Sequence, residues 1–310
     1  MTDVTPTFRR TTYPTISPSN PSNDQSNRTV LVIGGSEGIG FSIALAYAQA
    51  NASKIILSSR SQAKLDDAVA KIRARGVKRA VTSIPLDSSD VAQIGKFWTR
   101  LREEEGVFVD VLVLNAAKVG ATTTAAEVVE FFQFNVASKL YMLENFQKQA
   151  GAGEEKRHKV LIDITSAAAH AYPYAMNAYG SSKAAFSNYL CHLADEVPEG
   201  EMRLVTMHPG AVYTAAASGS AEYSSDLPIW DHPSLAGHMA LWLSTPAAAF
   251  LHGRFVWANW DAEGLVEMKQ KILDDAGFLK IGVTGVNSFS VGGLMAKCTE
   301  VPAPQDRSLT

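Results

Sequence analysis

Tyr179 and Lys183 are the two side chains of this sequence best suited to exchange a proton. They lie one turn apart on a predicted helix, Asn177–Glu196, so both face the same side. A phenol ionises near about pH 10, and a neighbouring ammonium favours the phenolate, which suits tyrosine to general acid or base catalysis. Ser166 follows the preceding predicted strand, where its hydroxyl can polarise a carbonyl oxygen. The alternatives are an exposed helix pair and a serine that caps a turn.

A glycine-rich turn lies near the start of the chain, where an apolar run stops at Gly34-Gly35 and a helical pattern resumes after Gly40. Glycine permits a sharp turn and close approach to a ligand, and the helix N-terminus favours an anion, so this stretch suits a dinucleotide pyrophosphate. We expect the pyrophosphate to contact the residues of this turn: Gly34, Ser36, Gly38, Ile39 and Gly40. An ordinary glycine-rich turn is the alternative.

The elements that must position these residues alternate between strand and helix. Short apolar runs predict strands over residues 30–33, 54–57, 80–84, 111–114, 160–164 and 204–207. Helical patterns cover residues 39–50, 62–75, 91–104, 125–149 and 177–196. This alternation predicts an α/β fold, a doubly wound parallel sheet of the Rossmann type in a single domain.

Ligands of such a sheet bind outside the carboxyl ends of the strands. Polar or turn-forming residues follow each predicted strand: Gly34-Gly35, Ser59-Arg60, Asp87, Asn115, Ser166 and His208-Pro209-Gly210. The chemistry of this chain is therefore predicted to lie along that one edge of the sheet.

The composition is that of an ordinary globular protein: of 310 residues, 46% are hydrophobic and 19% charged, with a formal net charge of −3. Without a basic run, a small-molecule partner is favoured over nucleic acid or an anionic membrane. Cys191 and Cys298 indicate neither a disulfide framework nor a metal site, and they fit a reducing, cytoplasmic location. No apolar run reaches the length of about 20 residues that a membrane-spanning helix needs.

Composition also divides the chain. Residues 1–28 are rich in Ser, Thr, Pro and Asn, which predicts a disordered N-terminal lead. Residues 29–260 are predicted to form the dinucleotide-binding domain with the catalytic site, and residues 261–310 a C-terminal extension.

Taken together, these residues resemble the short-chain dehydrogenase/reductase family. The matching motifs occur in the family's order between residues 29 and 257: Gly34-xxx-Gly38-x-Gly40, Asn115-Ala116-Ala117, Asn135, Ser166, Tyr179-xxx-Lys183 and Pro209-Gly210-xxx-Thr214. The chain departs from the family at Ile33, where threonine is common, and at Ala117, where glycine is usual and Lys118 follows. Neither departure removes a catalytic group.

The resemblance implies a catalytic set of four residues: Asn135, Ser166, Tyr179 and Lys183. Tyr179 would exchange the proton, and Ser166 would orient the substrate oxygen. Lys183 would lower the pKa of the tyrosine and hold the ribose of a nicotinamide cofactor. Asn135 would hold its helix and the water of a proton relay, with a bond to solvent or backbone as the alternative.

The resemblance also implies cofactor contacts beyond the glycine turn. Asn115 would stabilise the sheet near the adenosine ribose. Asp87 would meet the adenine, although it can equally cap the next helix. In the loop after the sixth predicted strand, Thr214 and the backbone of Val212 would anchor the carboxamide, and Pro209 and Gly210 would be further cofactor contacts.

The residues after the second predicted strand favour NADP(H) over NAD(H). An acid at this point accepts hydrogen bonds from the ribose 2′-hydroxyl of NAD and repels a 2′-phosphate. This chain has Ser59 and then Arg60, whose guanidinium suits a phosphate. Glu37 argues the other way, because some NADP-dependent relatives have a basic residue there, and Arg60 can also be a solvated cation.

Aromatic side chains after Ser166 and after the sixth strand predict a bulky or polycyclic substrate: His170, Tyr172, Tyr174 and Tyr213. Residues 215–230 resemble a mobile substrate lid. Packing of the lid or of a subunit contact is the alternative for these rings.

The resemblance implies an oxidoreductase that interconverts a ketone and a secondary alcohol. Arg60 favours NADP(H) as its cofactor, and the aromatic residues together with the N-terminal lead favour a bulky substrate of secondary metabolism. An epimerase, dehydratase or cyclase of the same family is one alternative, and a non-catalytic NADP-binding sensor is another. Relatives often assemble through helices equivalent to residues 125–149 and 177–196, which implies a homodimer or homotetramer.

Overall fold

The computed structural model describes residues 4–122, 124–149, 157–171, 176–214 and 224–283, and a parallel sheet lies at its centre. The strands within the described residues are β1 (Thr29–Ile33), β2 (Lys54–Ser59), β3 (Ala80–Pro85), β4 (Val111–Leu114), β5 (Lys159–Ile164), β6 (Met202–His208) and β7 (Arg254–Trp257). Their order is β3-β2-β1-β4-β5-β6-β7, and every neighbouring pair is parallel. The predicted doubly wound sheet is confirmed.

Helices follow the strands and cover the sheet. Those in the described residues are α1 (Gly38–Gln49), α2 (Gln62–Arg73), α3 (Val91–Thr99), α4 (Ala125–Phe132), α5 (Ser138–Gln147), α6 (Asn177–Glu196), α7 (Pro233–Leu243), α8 (Ala262–Glu267) and α9 (Lys269–Asp274). Side chains cap several helices: Ser61 accepts from the α2 backbone, Asp90 from α3, and Thr124 forms a capping box with Glu127 at α4.

A turn of π-helix ends one predicted helix, at Arg100–Glu104, and interrupts another, at Gln133–Ala137. The second divides the predicted helix 125–149 into α4 and α5. A π-turn inserts one extra residue and redirects the side chains around it, and such turns are frequent at functional sites. Here the redirected side chain is Asn135, which is fully buried.

The core lies on both faces of the sheet, because neighbouring residues of β1 join different clusters. Val30 and Val32 pack with α1 and α7, whereas Leu31 packs with α3, α5 and α6. Helices α1 and α7 cross so closely that a Cβ at Gly237 would lie 2.5 Å from the Ser42 carbonyl oxygen.

Residues 4–28 are packed against the domain, so the predicted disordered lead is wrong for them. Ile16 is 0% exposed within the main core, and Arg9 pairs with Asp261 at 2.7 Å. The amide of Asn23 donates to two backbone carbonyls of its own segment at 2.9 Å. Polar composition predicted disorder, but the polar groups are satisfied within the fold.

The described part of the predicted C-terminal extension belongs to the same core. Ala262, Leu265 and Ile272 pack in the cluster that contains β1. The guanidinium of Arg254 donates to four carbonyls between residues 272 and 278, which fastens the end of α9 to β7. Residues 284–310 lie outside the described residues. Within the described residues, no helix combines the length and the apolar character needed to cross a bilayer.

Candidate functional site

The carboxyl ends of the central strands bring most of the predicted site residues to one edge of the sheet. Gly34 follows β1, Asn115 follows β4 and Ser166 comes shortly after β5. Strands β1 and β4 are neighbours from which the chain winds in opposite directions. A crevice for a ligand opens at this kind of switch point.

The glycine turn after β1 is fixed by β2 and β4. Gly34 has φ of +79°, and its N–H donates to the Ser58 carbonyl at 2.6 Å. Asn115 Nδ2 donates to the Gly34 carbonyl at 2.8 Å, so Asn115 holds the turn from the neighbouring strand. A Cβ at Gly40 would lie 2.0 Å from the Gly34 carbonyl oxygen, so turn and helix touch without side chains between them.

The start of α1 is open to an anion. Gly38 has φ of +57°, and Glu37, the residue before α1, makes no capping hydrogen bond to the helix. A Cβ at Gly38 would lie 3.2 Å from Thr214 Cγ2, which brings the loop after β6 against this turn. The N–H groups at the start of a helix without a side-chain cap suit a pyrophosphate, so these residues fit a dinucleotide.

The end of β2 carries an exposed cation next to a buried hydroxyl. Within the described residues, Ser59 Oγ is buried without a hydrogen-bond partner, and Arg60 is exposed and forms no ion pair. Glu37, the acid that argued against NADP, is paired with Lys64 Nζ at 2.9 Å. Its charge at this edge is therefore compensated.

Asp87 lies after β3, as predicted, but it does not cap α3. Its carboxylate accepts from the N–H of Ser89 at 3.0 Å and from the Ser89 hydroxyl at 2.7 Å, while Asp90 caps the helix. Asp90 therefore has the capping role that was the alternative for Asp87. The contact of Asp87 with the adenine stays a prediction.

Asn135 fastens the loop after β4 to α6. Its Oδ1 accepts from the N–H of Lys118 at 2.8 Å, and its Nδ2 donates to the Lys118 carbonyl at 3.0 Å and to Ser182 Oγ at 2.9 Å. Ser182 Oγ donates in turn to the Tyr179 carbonyl at 2.9 Å. Both amide hydrogens of Asn135 are used, so it positions the helix turn that carries Tyr179, and the relay water stays a prediction.

Tyr179, Lys183 and Ser166 come together where α6 passes the end of β5. Lys183 Nζ lies 5.8 Å from the centre of the Tyr179 ring and donates to the Ile164 carbonyl at 2.7 Å. The Ser166 side chain interacts with Tyr179 and lowers the pKa of its phenol, and Ser166 Oγ also accepts from the N–H of Ala168 at 3.2 Å. Ser166 therefore combines the predicted catalytic placement with the capping role.

Burial raises the pKa of Tyr179 above its ordinary value. The Ser166 side chain and the charge of Lys139 oppose this rise, and the charge of Asp163 adds to it. Burial lowers the pKa of Lys183, against the attraction of Asp163. Lys139 and Asp163 were not predicted as site residues, although a carboxylate inside the apolar run of β5 is an unusual feature of the sequence.

The loop after β6 is held by Asp231, another residue that the sequence analysis missed. Gly210 has φ of +83°, and a Cβ there would lie 2.6 Å from Asp231 Oδ2. The same oxygen accepts from the N–H of Ala211 and from Asn259 Nδ2, both at 2.9 Å, and Oδ1 accepts from Arg10 Nε at 2.9 Å. This carboxylate therefore sets the start of a loop with four of the predicted cofactor contacts: Pro209, Gly210, Val212 and Thr214.

The two histidines near β5 and β6 are packing groups. His208 Nδ1 accepts from the N–H of Ala167 at 3.1 Å, and burial lowers the pKa of His208 to about 3. His170 accepts from Trp257 Nε1 at 2.9 Å, and its ring meets Phe255 edge-on at 4.7 Å between centroids. The packing alternative fits His170 better than the predicted substrate contact.

Of the other predicted substrate contacts, Tyr213 lies within the described residues, and the remaining two do not. Tyr213 is 38% exposed and meets the ring of Trp230 at 5.2 Å between centroids. Tyr172 and Tyr174 lie outside the described residues, as do residues 215–223 of the predicted lid. No cluster of three or more potential metal ligands occurs in the described ranges.

Comparison with known proteins gives matches over most of the chain. A family model described as short chain dehydrogenase matches residues 28–224. A short chain dehydrogenase/reductase of Claviceps purpurea is 38% identical over 287 residues, which are 90% of this chain and 94% of that protein. The short chain dehydrogenase/reductase AacuD of Aspergillus aculeatus is 34% identical over 284 residues, with 90% of this chain and 96% of that protein covered.

A solved structure has the same fold. A variant of actinorhodin polyketide ketoreductase with NADPH superposes with a TM-score of 0.66 at 22% identity. The match covers 75% of this chain and 96% of that one.

Proposed function

The chain belongs to the short-chain dehydrogenase/reductase family and is an oxidoreductase, and we propose that it interconverts a ketone and a secondary alcohol with NADP(H). The family predicted from the sequence motifs is thereby confirmed. The observation that carries the finer proposal is the meeting of Tyr179, Ser166 and Lys183 at the edge of the sheet that also carries the glycine turn.

A bound nicotinamide supplies or accepts the hydride. In the proposed reduction, Tyr179 gives its phenolic proton to the carbonyl oxygen, and Ser166 donates a hydrogen bond to the same oxygen. Lys183, held by the Ile164 carbonyl, stabilises the phenolate that remains. Because burial raises the pKa of Tyr179, the phenol keeps its proton until the substrate is bound, which suits an acid.

The cofactor proposal rests on the edge of the sheet at β2. The exposed guanidinium of Arg60, directly after Ser59 at the end of β2, suits the 2′-phosphate of NADP. Lys64 pairs with Glu37 at 2.9 Å, which reduces the repulsion between that carboxylate and the phosphate. The glycine turn and the free start of α1 would hold the pyrophosphate.

The substrate proposal is a bulky or polycyclic ketone of secondary metabolism. It is supported by the partly exposed Tyr213 ring and its contact with Trp230, which offer an apolar surface in the loop after β6.

We further propose that a second copy packs on the helices of the α4–α6 face. Three large side chains are exposed there: Val129, Tyr141 and Tyr189. Sedimentation analysis should find a dimer or tetramer, and a monomer at working concentration would contradict the proposal.

Replacement of Tyr179 by phenylalanine tests the reaction. Tyr179→Phe keeps the ring and removes the acid, so turnover of NADPH with a ketone panel should fall at least about 100-fold while NADPH binding is retained. Tyr189→Phe, an exposed tyrosine of the same helix, is the control and should keep wild-type rates. Equal rates for Tyr179→Phe and wild type would remove Tyr179 as the acid.

Replacement of Arg60 tests the cofactor. Arg60→Ala should raise the Kd for NADPH about tenfold and leave the Kd for NADH unchanged, because only NADPH carries the 2′-phosphate. Lys78→Ala removes an exposed cation that precedes β3 and should change neither constant. An unchanged NADPH constant in Arg60→Ala would contradict the NADP proposal.

A further inference from the structure

A buried ion pair lies beneath the proposed catalytic residues. Lys139 of α5 and Asp163 of β5 are 3% and 0% exposed, and Lys183 of α6 beside them is 2% exposed. Lys139 Nζ donates to Asp163 Oδ1, and the side chains of Lys139 and Lys183 also interact. Three ionisable groups from three elements thus share one site in the core.

The contacts divide the single carboxylate unequally between the two ammonium groups. Asp163 Oδ1 is taken by Lys139, whereas Lys183 donates to the Ile164 carbonyl at 2.7 Å. Asp163 Oδ2 has no hydrogen-bond partner among the described residues. The ring of Phe186, with its centroid 5.3 Å from Lys139 Nζ, encloses the pair.

We propose that Lys139 is a positioning residue for the reaction: by occupying Asp163 it keeps the carboxylate from binding Lys183 and gives the site one net positive charge beside the Tyr179 phenol. This inference rests on the proposed function, in which Tyr179 exchanges the proton.

The charge count explains why both members are needed. With Lys139, Asp163 and Lys183 all ionised, the site carries one positive charge. Without Lys139, the charges of Asp163 and Lys183 cancel, and the carboxylate can draw Lys183 away from Tyr179. Without Asp163, two ammonium groups would face each other in the core.

The groups that face Tyr179 are Ser166 after β5, Asp163 within β5, Lys139 on α5 and Lys183 on its own helix. Lys139 and Asp163 act on the pKa of Tyr179 in the directions that the proposal needs. The charge of Lys139 lowers the pKa of Tyr179 and the charge of Asp163 raises it. Burial lowers the pKa of Lys139 to about 8, and Asp163 opposes this effect.

Stability alone gives little reason for such a pair. The desolvation of two buried charges largely cancels their attraction, and well-packed apolar residues often replace a buried ion pair at no loss. A purely structural pair would therefore show matched losses of stability in both single variants, with no directed effect on Tyr179.

The test compares three variants: Lys139→Met, Asp163→Asn and the double variant. The readouts are the pH profile of kcat/KM for alcohol oxidation and the tyrosinate absorbance of the cofactor-free protein. Because the chain has nine tyrosines, each spectrum is compared with the same variant carrying Tyr179→Phe. Chemical unfolding of each variant reports whether it is folded.

Lys139→Met should move both titrations to higher pH by about one unit, and Asp163→Asn should move them to lower pH. The double variant, which restores one net charge through Lys183, should return to within about half a unit of wild type. Shifts of the same sign in the two single variants, or no shift in either, would overturn the inference.

Should Lys139→Met fail to fold, Asp163→Asn decides: a downward shift supports the inference, and an unchanged or upward profile overturns it. The experiments distinguish a failure of the role proposed for Lys139 from a failure of the proposed function. Loss of turnover in Tyr179→Phe together with unshifted profiles would reject only the role of Lys139, whereas an active Tyr179→Phe would reject the acid itself.

Discussion

The close contact between the glycine turn and α1 makes Gly40→Ala a sharp test of the nucleotide site. An added Cβ would lie 2.0 Å from the Gly34 carbonyl oxygen and 2.6 Å from Asn115 Nδ2, whereas real Cβ atoms keep at least 3.0 Å. The start of α1 must therefore retreat by about 1 Å. Overpacking of this kind costs about 3 kcal/mol. Alanine gains about 1 kcal/mol over glycine within a helix, so we expect a net loss of about 2 kcal/mol.

The same displacement should weaken the nucleotide site, because the N–H groups of α1 move away from the turn. We expect the Kd for NADPH, measured by fluorescence titration, to rise at least about tenfold. Gly95→Ala is the matched control: it lies inside α3, and a Cβ there meets nothing within 4 Å. That variant should gain about 0.5 to 1 kcal/mol in urea unfolding and bind NADPH normally. Wild-type stability and affinity in Gly40→Ala would refute the reasoning.

Two further predictions concern the core. Burial lowers the pKa of His208 to about 3. Between roughly pH 6.5 and pH 3, the unfolded chain therefore binds a proton at this histidine that the folded protein lacks. The free energy of unfolding should fall in that range as the pH drops, by up to about 1.4 kcal/mol per pH unit. His208→Asn should flatten that slope in urea unfolding between about pH 7 and pH 5, and parallel curves would contradict it. Ile16→Ala should cost about 3 kcal/mol because the side chain is fully buried. Ile229→Ala, at a side chain that is 49% exposed, should lower the free energy of unfolding far less. If Ile16→Ala were no more destabilising than Ile229→Ala, the contribution of the N-terminal segment to the core would be contradicted.

Where a local pattern determines an element, the sequence predicted it closely. β4 and α6 have the predicted boundaries, Val111–Leu114 and Asn177–Glu196. β7 was not predicted: it is four residues long and begins with Arg254, whose charge is unfavourable in a buried strand. Its guanidinium donates to four carbonyls in and after α9, between residues 272 and 278, and these come from a part of the chain that a local window does not include.

The candidate site likewise contains residues that the sequence pattern could place and residues whose contacts depend on packing. Gly34, Asn115 and Ser166 follow buried strands, so topology alone places them at one edge. The pairing of Lys139 with Asp163 could not be predicted, because it depends on how α5 and β5 pack. Asn135 was predicted as part of the site, but its partners in the Lys118 loop depend on the π-turn that ends α4.

The N-terminal segment shows why composition misleads when partners come from elsewhere. A polar stretch stays disordered when it cannot offset its ordering entropy. Here the guanidinium of Arg10 donates to the carboxylate of Asp231. The same carboxylate accepts from the N–H of Ala211 in the loop after β6. The segment is thus ordered by groups that the proposed cofactor site also uses. A change at Arg10 therefore reaches that loop through a single shared side chain, although Arg10 itself stands outside every motif of the family.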